Sequence, residues 1–279
     1  MRLVELVAAA GVSVPSIAFA QSPPPENAPA FVTLDRMDAW SKAGIELSYL
    51  NYPVHPQSAE SEIGMQADVY GQYIVPATGV GAYVQIPATI SPTSGGLGNL
   101  ELGAIVALQI PSHCGAIGMI FHLGVTLPTG STDTANSVTA AARLTDIYDN
   151  LPYGRSLRFG VSPVLRRHRF FARADIGLDV NLPEPQADGT DPEDTFLRFN
   201  AAAGVELGLL ALSAESTNIY RMDAWAPTLI DMVAVAARYR YGAFEPYAAV
   251  ASPFDFQQTY RTFGLRFVIT AGFTFALPH

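Results

Sequence analysis

The sequence predicts an all-β chain that closes into an antiparallel transmembrane β-barrel of about 12 strands, with short periplasmic turns and long extracellular loops. Three observations lead to this fold class. Apolar and polar residues alternate with a period of two, each alternating segment is long enough to cross a bilayer as a tilted strand, and the connections are alternately short and long. A soluble β-sandwich or a β-rich enzyme shares the alternation, so the connection lengths favour the barrel.

Residues 98–130 show the alternation most clearly. In the first half, Leu100 and the residues at every second position after it are apolar, whereas Glu101 lies on the opposite face. After a short break the alternation resumes, with Phe121 and His122 on opposite faces. Two long amphipathic strands joined by a tight turn indicate a hairpin.

The same pattern continues along the chain and predicts twelve strands, an even number that is typical of single-chain bacterial barrels. The first connection is long, the second is short, and the two kinds alternate to the end of the chain. Outer-membrane barrels show this alternation, and a β-sandwich has no reason to keep it. The predicted strands cover residues 43–52, 62–75, 79–87, 98–110, 115–127, 154–166, 168–181, 195–207, 209–218, 228–241, 243–252 and 262–276.

Composition limits the function classes. Hydrophobic residues make up 49% of the chain and charged residues 15%. After the N-terminus, however, no uninterrupted apolar run reaches the ~18–20 residues of a transmembrane helix. A net charge of −9 argues against nucleic acid as a partner, because phosphate binding needs basic clusters. The one local basic run, Arg166-Arg167-His168-Arg169, is interpreted as a solvated turn with arginine rims.

The N-terminal residues predict export. Arg2, a mostly apolar stretch and the small-x-small sequence Ala18-Phe19-Ala20 are typical of a cleaved signal peptide. The alternative, a buried N-terminal helix, is disfavoured by Pro15 and by the proline-rich sequence that follows residue 21. Export and barrel together predict the outer membrane of a Gram-negative bacterium, with outer-membrane lipid and the barrel-assembly machinery as partners.

The predicted organisation has three parts: a signal peptide at 1–20, a flexible leader at 21–42 with a possible short helix, and the barrel at 43–279. The last strand carries phenylalanines on one face and ends in aromatic residues. It resembles the assembly signal of outer-membrane proteins, although four residues follow Phe275.

If the apolar faces contact lipid, the opposite faces line the lumen. Charges of both signs lie on these faces and cannot sit in hydrocarbon, where each would cost a few kcal/mol. They brace the wall by pairing across strands, set the selectivity of a pore, or do both. The predicted lumen-lining residues are Glu46, Asp68, Glu101, His122, Arg158, Arg173, Asp175, Asp179, Arg198, Glu206, Glu215, Arg238, Glu245 and Arg266.

Twelve strands enclose a lumen between the filled eight-stranded barrel and the open channel of sixteen strands or more, so a narrow passage for small solutes is expected. The longest loop, 128–153, carries Asp146 and Asp149 and could fold inward.

No pattern predicts a catalytic, cofactor or metal site. His122 is the only mid-strand histidine, and no serine lies two residues away, so an outer-membrane hydrolase is a minor alternative. Residues 188–191 lack the twelve-residue ligand pattern of a calcium loop. The single cysteine, Cys114, has no partner for an intramolecular disulfide.

One pentapeptide occurs twice, as Arg36-Met37-Asp38-Ala39-Trp40 and again as Arg221-Met222-Asp223-Ala224-Trp225. The flanking residues do not align, so the match is not interpreted as an internal repeat. The two tryptophans are the only ones in the chain and are expected in the aromatic belts at opposite rims of the membrane.

Two segments of the chain carry a pattern found in a known protein family. They are residues 98–103, with the sequence GNLELG, and residues 123–130, with the sequence LGVTLPTG. This pattern resembles the outer-membrane barrel transporters known as phenol meta-pathway degradation proteins. The resemblance implies a twelve-stranded type of barrel and passage of small, possibly aromatic or hydrophobic, solutes. The leading hypothesis is therefore a passive outer-membrane channel, and the alternative is a structural or surface-interaction barrel with a closed lumen.

Overall fold

The computed structural model describes residues 31–34, 36–53, 61–90, 95–112, 115–130, 144–146, 149, 155–182, 195–222, 228–254 and 266–277. No helix within these ranges is long and apolar enough to cross a membrane. A short 3-10 turn covers Leu144–Asp146. The strands are β1 (Lys42–Pro53), β2 (Ser61–Ile74), β3 (Val80–Ile90), β4 (Gly95–Leu97), β5 (Leu100–Ser112), β6 (Gly115–Leu127), β7 (Ser156–Arg167), β8 (Phe170–Asn181), β9 (Thr195–Leu207), β10 (Leu210–Arg221), β11 (Thr228–Tyr239), β12 (Phe244–Pro253) and β13 (Phe267–Ala276).

These strands form one closed antiparallel barrel. Each long strand pairs with its neighbours in the chain, and β1 pairs with β13 from Lys42↔Ala276 to Asn51↔Phe267, which closes the sheet. The three-residue β4 pairs with β3 one residue out of register with β5, so β4 and β5 are one wall strand interrupted at Gly98 and Asn99. The predicted twelve-stranded barrel is therefore confirmed.

Most predicted strand limits lie within three residues of the observed ones, and two departures are described further. The strand predicted from residue 98 is split, because the amide of Gly98 donates to the carbonyl of Pro87 at 2.8 Å and the ladder shifts by one residue there. The last strand begins at Phe267 and not at residue 262, and residues 262–265 lie outside the described residues. His113, Cys114 and residues 188–191 also lie outside them.

Short and long connections alternate as predicted, so the barrel has a short-turn end and a long-loop end. Two-residue turns join β7 to β8, β9 to β10 and β11 to β12, and each has a positive φ at its first residue: 55° at His168, 69° at Gly208 and 62° at Gly242. Glycine adopts this conformation freely, whereas a residue with a Cβ pays roughly 1–2 kcal/mol. His168 is thus strained where the two equivalent turns have glycine.

The two faces of the wall differ as the alternation predicts. Large apolar side chains point outward and are exposed, among them Leu47 (49%), Ile176 (54%) and Val235 (64%). An apolar surface that surrounds the whole barrel is far larger than a protein in water normally exposes. The inward side chains are mostly polar and buried.

On the inner wall, aromatic rings pack directly against glycine residues. Gly103 and Gly124 pair across β5 and β6, and the Tyr83 ring lies over both. A Cβ on Gly124 would lie 2.1 Å from the Tyr83 hydroxyl oxygen, which donates to Glu101 at 2.5 Å. Because Gly103 and Gly124 have no side chains, the Tyr83 ring can lie against the wall there, and its hydroxyl group then holds Glu101.

Gly124→Ala should cost about 1–3 kcal/mol, because the new methyl group displaces the Tyr83 hydroxyl from a filled interior. Gly118→Ala is the matched control on the same strand and face, since its nearest neighbour would be 3.6 Å away. A folded outer-membrane barrel migrates faster on a gel before heating than after it. The temperature of this conversion should fall for Gly124→Ala and stay within about a degree for Gly118→Ala; equal behaviour of the two would contradict the packing described.

Candidate functional site: the barrel interior

The chain ahead of β1 occupies the interior of the barrel. Residues 31–34 and 36–41, here named the plug, form bends and irregular structure in place of the short helix that the sequence allowed. Its side chains are buried, with Leu34 at 0%, Met37 at 2% and Phe31 at 5% exposure. The sequence predicted a flexible leader at 21–42 and assigned it no position, so the burial of its described part inside the barrel is new information from the structure.

The plug enters and leaves at the short-turn end. Ser41 exchanges hydrogen bonds with the backbone of Ile74, the last residue of β2, at 3.2 and 3.0 Å. At the opposite end of the plug, Phe31 packs against Phe171 with 5.3 Å between ring centroids. Phe171 is the second residue of β8 and lies beside a short turn. Between these points the plug crosses the lumen, so it has the form of a U.

Arg36 fixes the middle of the plug to the wall. Its guanidinium contacts Glu46 of β1 at 2.8 Å, Asp68 of β2 at 3.0 Å and Asp146 at 3.3 Å. The same group lies 4.9 Å from the centroid of the Tyr70 ring. All these side chains are buried, and ion pairs in such surroundings hold only when every charge has a partner.

Glu215 of β10 fixes the far arm of the plug. Its carboxylate accepts hydrogen bonds from the amide of Val32 at 3.0 Å, the amide of Thr33 at 2.6 Å and the hydroxyl of Thr33 at 2.7 Å. Ser213 donates to the same carboxylate at 2.8 Å. A charged acceptor that takes several donors binds strongly and with a defined geometry.

The loop between β6 and β7 also reaches into the barrel, as its length allowed. Thr145 and Asp146 are 0% and 1% exposed, and Asp149 is 0% exposed. Asp149 accepts from Gln85 at 2.8 Å and from Thr126 at 3.3 Å, and its carbonyl accepts from the amide of Asn99 at 2.6 Å. The loop is thereby tied to the wall near the interruption between β4 and β5.

Arg158 of β7 joins this loop to the wall strands. It contacts Glu101 at 3.1 Å, Asp146 at 3.0 Å and Asp179 at 3.5 Å, and it donates to the carbonyl of Thr145. Because Asp146 also contacts Arg36, a single carboxylate links the inserted loop to the plug.

The structure brings most of the predicted lumen residues into ion pairs of the inner face. Arg198 pairs with Asp179 at 2.8 Å and Arg173 with Asp175 at 2.6 Å. Near the short-turn end, Arg238 pairs with Glu245 at 3.4 Å, while Arg166 pairs with Glu206. The buried members of the predicted set are Glu46, Asp68, Glu101, His122, Arg158, Arg173, Asp175, Asp179, Arg198, Glu215, Arg238 and Glu245, whereas Glu206 and Arg266 are partly exposed.

Two further predicted residues lie at other places in the wall. His122 lies opposite Ile105 and Gly160, and its ring covers Gly160 so closely that a Cβ there would lie 2.0 Å from it. Arg266 precedes β13, and its amide donates to the carbonyl of Asn51 at 2.9 Å.

Arg36 and the three tyrosines Tyr70, Tyr83 and Tyr247 were missed by sequence reasoning. Arg36 stands in the first copy of the repeated pentapeptide, and this was its only signal. The second copy has a different place: Arg221 ends β10, and residues 223–225, including Trp225, lie outside the described residues. Trp40 is half-buried, two residues before β1 and near the short-turn end, and its place in an aromatic belt stays a prediction.

The interior has two unlike walls towards the long-loop end. Strands β2 to β8 carry the polar groups described above. From β9 through β13 to β1 the inward side chains at this end are largely apolar and buried: Phe196, Ile219, Ile230, Met232, Ala251, Val268 and Leu50. In the described residues, no group of three or more Asp, Glu, His or Cys side chains is arranged to hold a metal ion, and the absence of a cofactor stays a prediction.

Solved outer-membrane barrels share this fold. The COG4313 outer membrane channel from Pseudomonas putida F1 aligns with 90% of this chain and 100% of its own, with a TM-score of 0.63 and 9% identity. The NanC porin aligns with 84% of this chain and 100% of its own, with a TM-score of 0.55 and 10% identity. No family model and no curated protein matches the sequence, so the resemblance to phenol meta-pathway proteins stays a prediction.

Docking of the loop should weaken as pH rises. Burial raises the pKa of Asp149 well above its usual range, and the negative charge of Glu101 raises it further. A carboxyl group whose pKa is raised by docking takes up a proton on docking, so stability is highest at low pH and falls as pH rises through the raised value. Asp149→Asn, which stays neutral, should lose less stability on going from pH 5 to pH 8 than the parent protein. Parallel thermal unfolding curves for the two across this range would contradict the assignment.

Proposed function

We propose that the protein is a passive outer-membrane channel for small solutes, closed in this conformation by the plug and the inserted loop. The short-turn end faces the periplasm and the long-loop end faces outward, as in other barrels of this kind. The observation that carries the proposal is that the wall does not fill its own interior. Two segments that are not part of the wall occupy it instead: residues 31–34 and 36–41 of the plug, and residues 144–146 and 149 of the loop.

A barrel of this size has room for a passage. Eight strands enclose a space that the wall's own side chains fill, and sixteen leave an aqueous channel. Twelve strands lie between these limits, and the space taken by the plug becomes a passage when the plug moves. Part of the plug is held by hydrogen bonds and ion pairs, which water can replace. Its apolar side chains pack against the wall, so opening also exposes apolar surface: Phe31, Val32, Leu34 and Met37.

The proposed solute is small and aromatic or hydrophobic. The apolar inner wall formed by residues such as Ile219, Met232 and Val268 supports this class. These side chains are buried in the closed conformation, and in the proposed open one they give an apolar ring a surface to contact at the outward end. The opposite polar wall supplies donors for a polar substituent.

A structural barrel with a closed lumen is the second candidate. The complete burial of Leu34 and Thr145 favours it, since both segments pack as a protein core does. The two candidates differ in whether the plug leaves the lumen while the wall stays folded.

A disulfide between the plug and the wall separates the two candidates. The hydroxyl oxygens of Thr33 and Thr217 lie 3.4 Å apart, so cysteines at these positions are placed to form a bond across the lumen. In a Cys114→Ser background, we expect Thr33→Cys with Thr217→Cys to show low single-channel conductance when oxidised and higher conductance after reduction. The same protein serves as its own control, and each single cysteine variant controls for the effect of the reductant. Equal conductance before and after reduction would favour the closed structural barrel.

Arg36→Ala should open the channel without a reductant. The substitution leaves three buried carboxylates without their cation, which costs about 3–5 kcal/mol in comparable sites. We expect conductance to rise in planar bilayers, whereas Arg155→Ala, at the long-loop end and outside this cluster, should behave as the parent protein does. Liposome swelling with sugars, amino acids and aromatic acids then identifies the solute class, and preference for sugars over aromatic acids would contradict the proposed one.

A further inference from the structure

The turn between β7 and β8 has a composition that the channel does not explain. Arg166-Arg167-His168-Arg169 is the one run of four consecutive basic side chains in a sequence whose net charge is −9. The two equivalent turns are built from Gly208-Leu209 and from Gly242-Ala243 and carry no charge. A turn of this type therefore does not require basic residues.

The turn between β7 and β8 has a histidine at the positive-φ position where the two equivalent turns have glycine. Arg167 and Phe170 are paired at the ends of β7 and β8, and His168 takes the left-handed conformation between them. Strain of this kind at an exposed position indicates that the side chain is used. Arg167, His168 and Arg169 are all exposed.

The exposed cations are directed to the outer surface of the barrel. Arg166 points inward, where it pairs with Glu206. Arg167 points the opposite way, because it lies on the same face as Phe170, whose side chain is 68% exposed. Arg240, another arginine at this end, is held by Glu206 and Glu245 at 3.5 and 3.3 Å. Arg167 and Arg169 are thus placed outside the ion pairs of the inner face.

An apolar collar lies directly beside these cations. Leu165, two residues before Arg167 on the same face, is 46% exposed. Phe170 is paired with Val205 of β9, and the following outward residue, Leu207, is 50% exposed. Arginine beside exposed aromatic and aliphatic groups is the arrangement found where a protein crosses from hydrocarbon to headgroups.

We infer that this turn binds an anionic phospholipid of the leaflet that the short-turn end faces. The guanidinium groups of Arg167 and Arg169 take the phosphate, for which their planar donor pairs are suited, and the His168 imidazole offers a further donor. The acyl chains lie along Phe170, Leu165 and Leu207. The inference rests on the proposed orientation of the barrel in the outer membrane.

Charge complementarity selects this partner. A chain of net charge −9 is repelled by an anionic surface everywhere except at a local positive patch. Each arginine near an anionic membrane surface contributes roughly fivefold in affinity, so two contribute roughly 30-fold.

Native mass spectrometry of the purified full-length barrel in mixed micelles tests the inference. We expect phosphatidylglycerol to bind in preference to phosphatidylethanolamine. The Arg167→Gln/Arg169→Gln variant should lose roughly 30-fold in affinity for phosphatidylglycerol and keep its affinity for phosphatidylethanolamine. The matched control, Arg155→Gln/Arg221→Gln, removes the same charge at the long-loop end and should keep the preference. Absence of a preference in the parent protein, or equal loss in both double variants, would overturn the inference.

Three further arms separate the possible sources of the negative charge. The Arg167→Lys/Arg169→Lys variant should retain most of the preference, because the charge remains. Glycerol 3-phosphate at millimolar concentration should not displace the lipid, and displacement would instead assign a site for free phosphate. Binding of a polyglutamate peptide without any preference for phosphatidylglycerol would assign the turn to an acidic protein partner.

The inference and the proposed channel fail in different ways. If the lipid preference is lost while conductance is intact, the lipid site alone is excluded. If the protein neither inserts into bilayers nor shows heat-modifiable mobility, both the lipid site and the channel are excluded. Heat-modifiable mobility of every variant confirms that the barrel has folded.

Discussion

The guanidinium of Arg36 is the point at which three parts of the chain meet. It belongs to the plug, it contacts Glu46 and Asp68 on neighbouring wall strands, and it contacts Asp146 on the loop that enters from the opposite end. Without this cation the three carboxylates would face one another in a space that excludes most water, where their repulsion is far stronger than at the surface. One charge therefore joins the plug, the loop and the wall, while Glu215 holds the plug and Arg158 holds the loop by separate contacts.

Asp146 extends this dependence to the other side of the interior. It contacts Arg36 at 3.3 Å and Arg158 at 3.0 Å, and Arg158 is in turn shared with Glu101 and Asp179. Removal of the loop leaves both arginines with fewer counter-charges, and removal of the plug leaves the acidic residues in excess. Groups that share partners in this way do not contribute independently, so the loop and the plug stabilise each other.

The wall was predictable from the sequence, and the length of the loop between β6 and β7 allowed for its inward position, but the plug was not predictable. A residue such as Leu123 or Glu101 reveals its face by its position in a pattern of period two, and the connection lengths reveal which strands are neighbours. Arg36 belongs to no such pattern, because the plug has neither the period of a strand nor that of a helix. Its contacts reach as far as Asp146 along the chain, a separation that no local pattern reveals. Close packing of Tyr83 over Gly103 and Gly124 was equally hidden, since a glycine in a strand gives no sign of the ring that fills its place.

The U form of the plug determines how the interior is filled. Strand β1 follows the plug directly, and the barrel is closed only when β13, at the other end of the chain, pairs with β1. A segment that ran from one mouth to the other would have to be surrounded by the wall as it closed, or threaded through it afterwards. The described part of the plug, residues 31–34 and 36–41, begins and ends near the same mouth, so this part of the chain does not run from mouth to mouth. Its position therefore places no such demand on the order in which the wall closes.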